Sequence, residues 1–262
     1  MRAVSRLGET VWTQWDELRH TAAVIGTTLR LSIRPRYWVG GVWNLLTRQV
    51  LTVGVEPIGF VCAVATFVGI SVVVQLAFWT GKAGQSQLLG PLLVAVVARE
   101  LGPLLTNIIV IVRSSSAMAT ELGVLKVSGE VQTMEGQGKD PFLHLVMPRI
   151  LGVSVATFCL TIGFILVALT SGYLFGAWLG TGSRDFWFFT DTVLTALHPQ
   201  DVVSIIAKSI LPALFTSASC CIGGLGVCGS FTNIPRATQR ALTRSIAGLF
   251  VISAVVSLLT YL

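Results

Sequence analysis

The chain has 262 residues, of which 53% are hydrophobic and 11% charged, with a formal net charge of +6 and a mean hydropathy of +0.78. Soluble domains carry about 25% charged residues, so a water-soluble enzyme or binding domain is excluded and an integral membrane protein is indicated. The basic residues are not gathered with exposed aromatics on one soluble face, so no nucleic-acid partner is expected.

In chain order, residues 1–12 contain Arg2, Arg6 and Glu9 and lack the apolar run of a secretory leader. Val4, Leu7, Val11, Trp15, Leu18, Ala22, Ile25 and Leu29 recur at spacings of three and four, which is a helical stripe. With Trp12, Trp15, Trp38 and Trp43 nearby, residues 1–48 read as an amphipathic region lying in the cytoplasmic interface. Residues 49–262 form the membrane domain. Pro57–Trp79 is the first stretch long enough to span, since a spanning helix needs about 20 apolar residues. Leu88–Val112 is the second, interrupted by charge. Arg113–Pro148 is a polar cytoplasmic loop, with helix predicted over Ala117–Met134, an end at Gly136 and Gly138, and a restart at Asp140-Pro141. Ile150–Gly180 is the third span. Thr181–Gln200, with Phe186, Trp187, Phe188 and Phe189, dips into the outer interface. Ser209–Pro235 and Ser245–Leu262 complete five spans. The runs do not alternate as barrel strands do. The expected fold is therefore all-α: an interfacial N-terminal helix followed by five transmembrane helices.

Basic residues orient the bundle. Fourteen lie before the first span or in the loops after the second and fourth spans, against two, Lys82 and Arg184, in the other loops. Basic loops stay in the cytoplasm. The N-terminus is thus expected inside and Leu262 outside.

Most motif matches carry no chemistry. Gly224-Leu-Gly226-Val-Cys-Gly229 follows a membrane span rather than a soluble strand, with no acidic residue about 20 positions on, so its glycines serve packing or a bend. No G-x-x-x-x-G-K-[ST] exists, so the chain is not expected to hydrolyse nucleotide itself. Cys62, Cys159, Cys220, Cys221 and Cys228 lack C-x-x-C spacing, and His20, His144 and His198 form no zinc motif. No metal site, cofactor or catalytic set is expected. Gly172, Gly176 and Gly180 make a small-xxx-small ridge for packing within or between subunits.

The informative residues are the charges within the spans. Arg99-Glu100-Leu101-Gly102-Pro103 sits in the middle of the second apolar run. An ionisable group there costs roughly 2.5–3.5 kcal/mol on insertion scales and is read as functional. Neighbours at i and i+1 do not face each other on a helix, so Arg99 and Glu100 each need another partner: a helix, water or a charged substrate. Lys208 lies in the fourth span. It either snorkels to the outer headgroups or lines a polar cavity.

Arg99-Glu-Leu-Gly-Pro103, Arg113, Ala117, Glu121-Leu-Gly123, Met134-Glu135, Asp140-Pro141, Pro148-Arg149 and Ile234-Pro-Arg-Ala-Thr-Gln-Arg240 occur in one ordered frame. In this the chain resembles the MlaE (YrbE) permease family of bacterial lipid-transporting ABC systems that work with MCE proteins, over about residues 40–262. The resemblance implies a non-catalytic permease in the bacterial inner membrane. It would work with a second permease copy, a separate cytoplasmic ATPase that binds ATP, and a periplasmic ring of MCE subunits. It would move phospholipid or a related lipid through an outward-opening cavity. By position, Arg48, Arg99, Glu100 and Lys208 match polar residues near that cavity. Glu121, Glu130, Met134, Glu135 and Asp140 fall in the segment that couples to the ATPase. Gly129-Glu130 stands where the family usually has Glu-Gln, which displaces the acid by one residue, about 100° around a helix. The rival reading is a proton-coupled secondary transporter of an amphipathic anion. That class expects two related halves, and no internal repeat is visible.

Overall fold

The computed structural model describes residues 19–33, 40–84, 89–178, 186–227 and 229–261. Trp12, Trp15 and Trp38, Gly180 of the glycine ridge and Cys228 lie outside them. The described residues are almost wholly helical. The first helix, α1, covers 19–32. Its buried side carries Thr21, Val24, Ile25 and Thr28, while Ala22 and Leu29 of the apolar stripe face outward.

Helix α2 (Gly40–Val55) runs across the expected boundary between residues 48 and 49. A turn at Glu56-Pro57 separates it from α3 (Ile58–Lys82); proline has no N–H for the helical ladder and is favoured at a helix start. Next comes α4 (Leu89–Val127), followed by the short α5 (Glu130–Gly136). Helix α6 (Phe142–Trp178) leads to the outer α7 (Phe186–Ala196). Helices α8 (Pro199–Leu225) and α9 (Ile234–Tyr261) close the bundle. Five of these segments are long and apolar enough to cross a membrane, which makes the chain a multi-pass membrane protein.

Helix α4 is longer than a bilayer requires. At 1.5 Å per residue it is about 58 Å long, against roughly 30 Å of hydrocarbon. Its last turns therefore project beyond the apolar zone, and much of the predicted loop is a rigid extension of the second span. This extension packs against the ends of α8 and α9. Gly224 permits the approach, since a Cβ there would sit 2.6 Å from the Ala119 carbonyl oxygen. The helix predicted over Ala117–Met134 is broken: α4 stops at Val127, and Gly129 adopts φ +81° before α5 starts. Glycine takes that left-handed conformation without a Cβ clash.

Two other boundaries move. The fourth span begins at Pro199, ahead of the uncharged run Ser209–Pro235, so Pro199 and Gln200, expected at the end of the outer loop, are helical. The fifth begins near Ile234, not Ser245, and Arg236, Arg240 and Arg244 decorate the start of α9. Both starts are proline-marked, at Pro199 and Pro235.

Helix α6 is the central post, packed by α2, α3, α4 and α8. The core includes Phe164, Ile150, Val153 and Leu160 of α6, with Leu93 and Val97 of α4 and Ala218 of α8. At the α3–α6 crossing, a Cβ on Gly69 would run into the Ala168 carbonyl and one on Gly172 into the Val73 side chain. A Cβ on Gly176 meets nothing within 4 Å. The glycine ridge thus works within the subunit at Gly172.

Candidate functional site

The charged pair of α4 stands on an unusual piece of helix. Val94–Leu101 is wound as a π-helix, with wider i→i+5 turns. Such stretches are rare and frequent at functional sites. It ends at Gly102-Pro103, where the winding returns to α and the proline ring has no N–H to donate to the Arg99 carbonyl four residues earlier. The Lys208 ammonium fills that place, donating to the Arg99 carbonyl oxygen at 3.2 Å. Helix α8 repeats the device. Pro212 cannot donate to the Lys208 carbonyl four residues earlier, and the Asn107 side-chain amide of α4 donates there at 3.3 Å. The same amide donates to the Pro103 carbonyl at 2.8 Å. Two prolines therefore expose backbone acceptors, and polar side chains of the facing helix satisfy them. Gly102 brings α6 close as well: a Cβ there would lie 2.7 Å from Ile165 Cγ1.

Around this seam lie two crossed ion pairs. Lys208 Nζ is 2.5 Å from Glu100 Oε1, and Arg99 Nε is 2.8 Å from Asp201 Oδ1. Ser257 of α9 donates to the same Glu100 oxygen at 3.0 Å, so the carboxylate ties three helices. Asp201 is in the first turn of α8, where its other oxygen accepts the His198 backbone N–H at 2.9 Å. That contact closes the helix start, and a negative charge there also suits the helix dipole. The cluster lies in the half of the bundle nearest α7, because Asp201 opens α8 and Ser257 is near the end of α9.

Lys208 and Asp201 have 1% of their side chains exposed, Arg99 23% and Glu100 46%. The snorkelling alternative for Lys208 is thereby removed: its ammonium turns inward to a carboxylate. The structure brings together Arg99, Glu100 and Lys208. It adds Asp201, which the sequence reading did not single out. Arg48 is exposed on α2, a helix that packs against α6, and stands apart from this cluster.

The predicted coupling residues share the opposite end of the bundle. Glu121 accepts from Arg149 at 2.8 Å and so braces α4 against the start of α6. Asp140 accepts the Phe142 backbone N–H at 2.9 Å and starts α6. Glu130 accepts from Ser128 at 3.3 Å. Glu130 and Glu135 stand at the two ends of α5, with Met134 half-buried and Val131 buried beneath. Among the described residues no group of three or more His, Cys, Asp or Glu is placed to hold a metal ion.

The family described as Permease MlaE matches residues 46–259. The chain belongs to the MlaE permease family. It is 29% identical over 220 residues to the chloroplast protein TRIGALACTOSYLDIACYLGLYCEROL 1 of Arabidopsis thaliana, covering 82% of this chain and 61% of that protein. To the intermembrane phospholipid transport system permease protein MlaE of Haemophilus influenzae it is 24% identical over 202 residues, 77% of each chain. A probable ABC transporter permease protein of Synechocystis is 25% identical, covering 78% of this chain and 76% of its own length. Membership of the MlaE permease family makes the chain a non-catalytic membrane component of an ABC transporter.

Proposed function

We propose that this permease moves phospholipid or a related lipid between the bacterial inner membrane and a periplasmic MCE-type protein. In this reading two copies pair about an axis normal to the membrane, and each binds a separate cytoplasmic ATPase that supplies the energy. The observation that carries it is the crossed pair Arg99–Asp201 and Glu100–Lys208 inside the spans. Charged groups at that depth are costly unless they meet one another or a polar substrate. Arginine suits a phosphate through its planar fork and lysine as a point charge. The apolar spans around them suit acyl tails. The name of the Haemophilus relative, an intermembrane phospholipid transport system permease protein, supports the same substrate class. Family membership favours this over a proton-coupled secondary transporter.

The projecting end of α4, together with α5 and Asp140, is the surface offered to the ATPase. Glu130, Met134 and Glu135 are its available contacts, whereas Glu121 is already engaged with Arg149.

The test replaces Arg99 and Lys208 singly by Gln, checks that the complex assembles, and then counts copurified lipid and measures lipid transfer. Reduced lipid and reduced transfer in an assembled complex are expected. Two assembled variants that carry and move lipid like the parent would make the charges structural. In the same preparation, Glu135→Lys should release the ATPase or uncouple hydrolysis from transfer, and unchanged assembly and transfer would remove α5 from the docking surface.

A further inference from the structure

The four charges of the cluster sum to zero: Arg99 and Lys208 against Glu100 and Asp201. They are also layered. Lys208 and Asp201 are buried, while Arg99 and Glu100 are half-buried and carry the accessible surface of the cluster. A ligand thus meets one cation backed by a buried carboxylate and, beside it, one anion backed by a buried ammonium. Glu100 uses a single oxygen, Oε1, for both Lys208 and Ser257, and Oε2 takes part in neither contact. A second copy of the chain would double both signs and leave the sum unchanged.

From this arrangement we propose that the site selects a zwitterionic lipid headgroup, a phosphate diester bearing an ammonium group, over a headgroup of net negative charge. The proposal rests on the reading that a lipid headgroup occupies this cluster. The phosphate accepts from the Arg99 guanidinium, and the ammonium donates to the open side of the Glu100 carboxylate. Such charge-assisted hydrogen bonds are stronger than neutral ones. A zwitterion adds no net charge to a neutral cluster among apolar helices. An anionic headgroup either adds an uncompensated charge or displaces Glu100 from Lys208, and a buried charge without its partner is strongly disfavoured. The geometry therefore discriminates by net charge rather than by headgroup size.

A charge series tests this. The permease complex is purified in mild detergent and equilibrated with mixed micelles of equimolar phosphatidylethanolamine and phosphatidylglycerol. It is then re-isolated, and its bound lipid is counted by mass spectrometry. The parent cluster is neutral, Glu100→Gln makes it +1, Lys208→Gln makes it −1, and the double substitution restores zero. The parent is expected to hold phosphatidylethanolamine over phosphatidylglycerol by about tenfold, equivalent to about 1.4 kcal/mol. Glu100→Gln should erase or reverse that preference, Lys208→Gln should sharpen it, and the double variant should return toward the parent ratio. A parent without preference, or one favouring phosphatidylglycerol, overturns the proposal, as does a ratio that ignores the charge series. Should a single variant fail to assemble, the parent and the double variant decide. The amount of lipid is read separately from the ratio: lipid retained without preference refutes only the headgroup selection. A parent that retains no lipid refutes the lipid site itself.

Discussion

Removing the carboxylate of Glu100 alone should be far more damaging than removing its ion pair whole. Lys208 is buried, and its ammonium donates to Glu100 Oε1 and to the Arg99 carbonyl oxygen. Breaking a buried pair from one side typically costs about 3–5 kcal/mol, whereas replacing both members with apolar groups is often neutral. Glu100→Ala is therefore expected to lower the thermal midpoint of the detergent-solubilised protein, and Glu100→Ala with Lys208→Met to recover most of the loss. Equal midpoints for the single and double variants would show that Lys208 does not depend on Glu100. Three of the four charged residues were legible because an ionisable side chain in an apolar run stands out on hydropathy alone. Asp201 was not, because it falls at the edge of the outer loop read as Thr181–Gln200, ahead of the uncharged run Ser209–Pro235 that marks the fourth span. Two local signs mark it: Pro199 opens the helix with an acid two positions later, and Asp201 and Lys208 are seven apart, on one helical face. The partners of Arg99 and Glu100 could not be read at all, since they lie on α8, about 100 residues on, and Val94–Leu101 is wound as a π-helix, which turns its side chains away from the α-helical register.

At the level of helices, the structure relies on close crossings that only glycine permits. Gly69 on α3 and Gly172 on α6 meet where a Cβ on either would overlap the other helix, while Gly176 one turn on has room for one. Forcing extra atoms into a packed contact typically costs about 1–3 kcal/mol. Gly69→Ala and Gly172→Ala should each destabilise the fold in this range, and Gly176→Ala should be near neutral, as read by thermal denaturation in detergent. Equal losses at all three positions would point to helix propensity or lipid packing rather than this crossing. The five spans were legible because apolar runs of spanning length are a strong signal. Their ends were not, because a helix may continue past the hydrocarbon where its exposed turns turn polar. Helix α4 does this through Arg113 to Val127, and α9 does it through Arg236, Arg240 and Arg244. Conversely, the absence of proline between Ala117 and Met134 suggested one helix, and Gly129 divides it by adopting a left-handed turn.

For the molecule as a whole, the fold separates two chemically different ends. One holds α7, the start of α8 and the Arg99–Asp201 pair. The other gathers Lys126, Lys139, Arg149, Arg236 and Arg240 on α4, α6, α9 and the segment between α5 and α6. This end is tied together by the Arg149–Glu121 pair and by Thr120 with Thr238. The positive-inside bias of the sequence thus becomes a physical face, and that face carries α5. Cytoplasmic loops retain the excess of Lys and Arg, so we propose that this face is cytoplasmic and the α7 end periplasmic. In that orientation the proposed headgroup cluster would lie in the periplasmic half of the bundle, and α5 would lie on the side of the proposed ATPase. Cysteine labelling in intact cells tests the assignment, in a background with Cys62, Cys159, Cys220, Cys221 and Cys228 replaced. Asp191→Cys on α7 should react with an impermeant thiol reagent, and Gln137→Cys beyond α5 should react only after the membrane is opened. Both positions are exposed in the subunit, and reaction of Gln137→Cys once the membrane is opened shows that neither burial nor a docked partner hides it. The reverse pattern would turn the bundle over and place the headgroup cluster on the cytoplasmic side, where a periplasmic acceptor could not reach it.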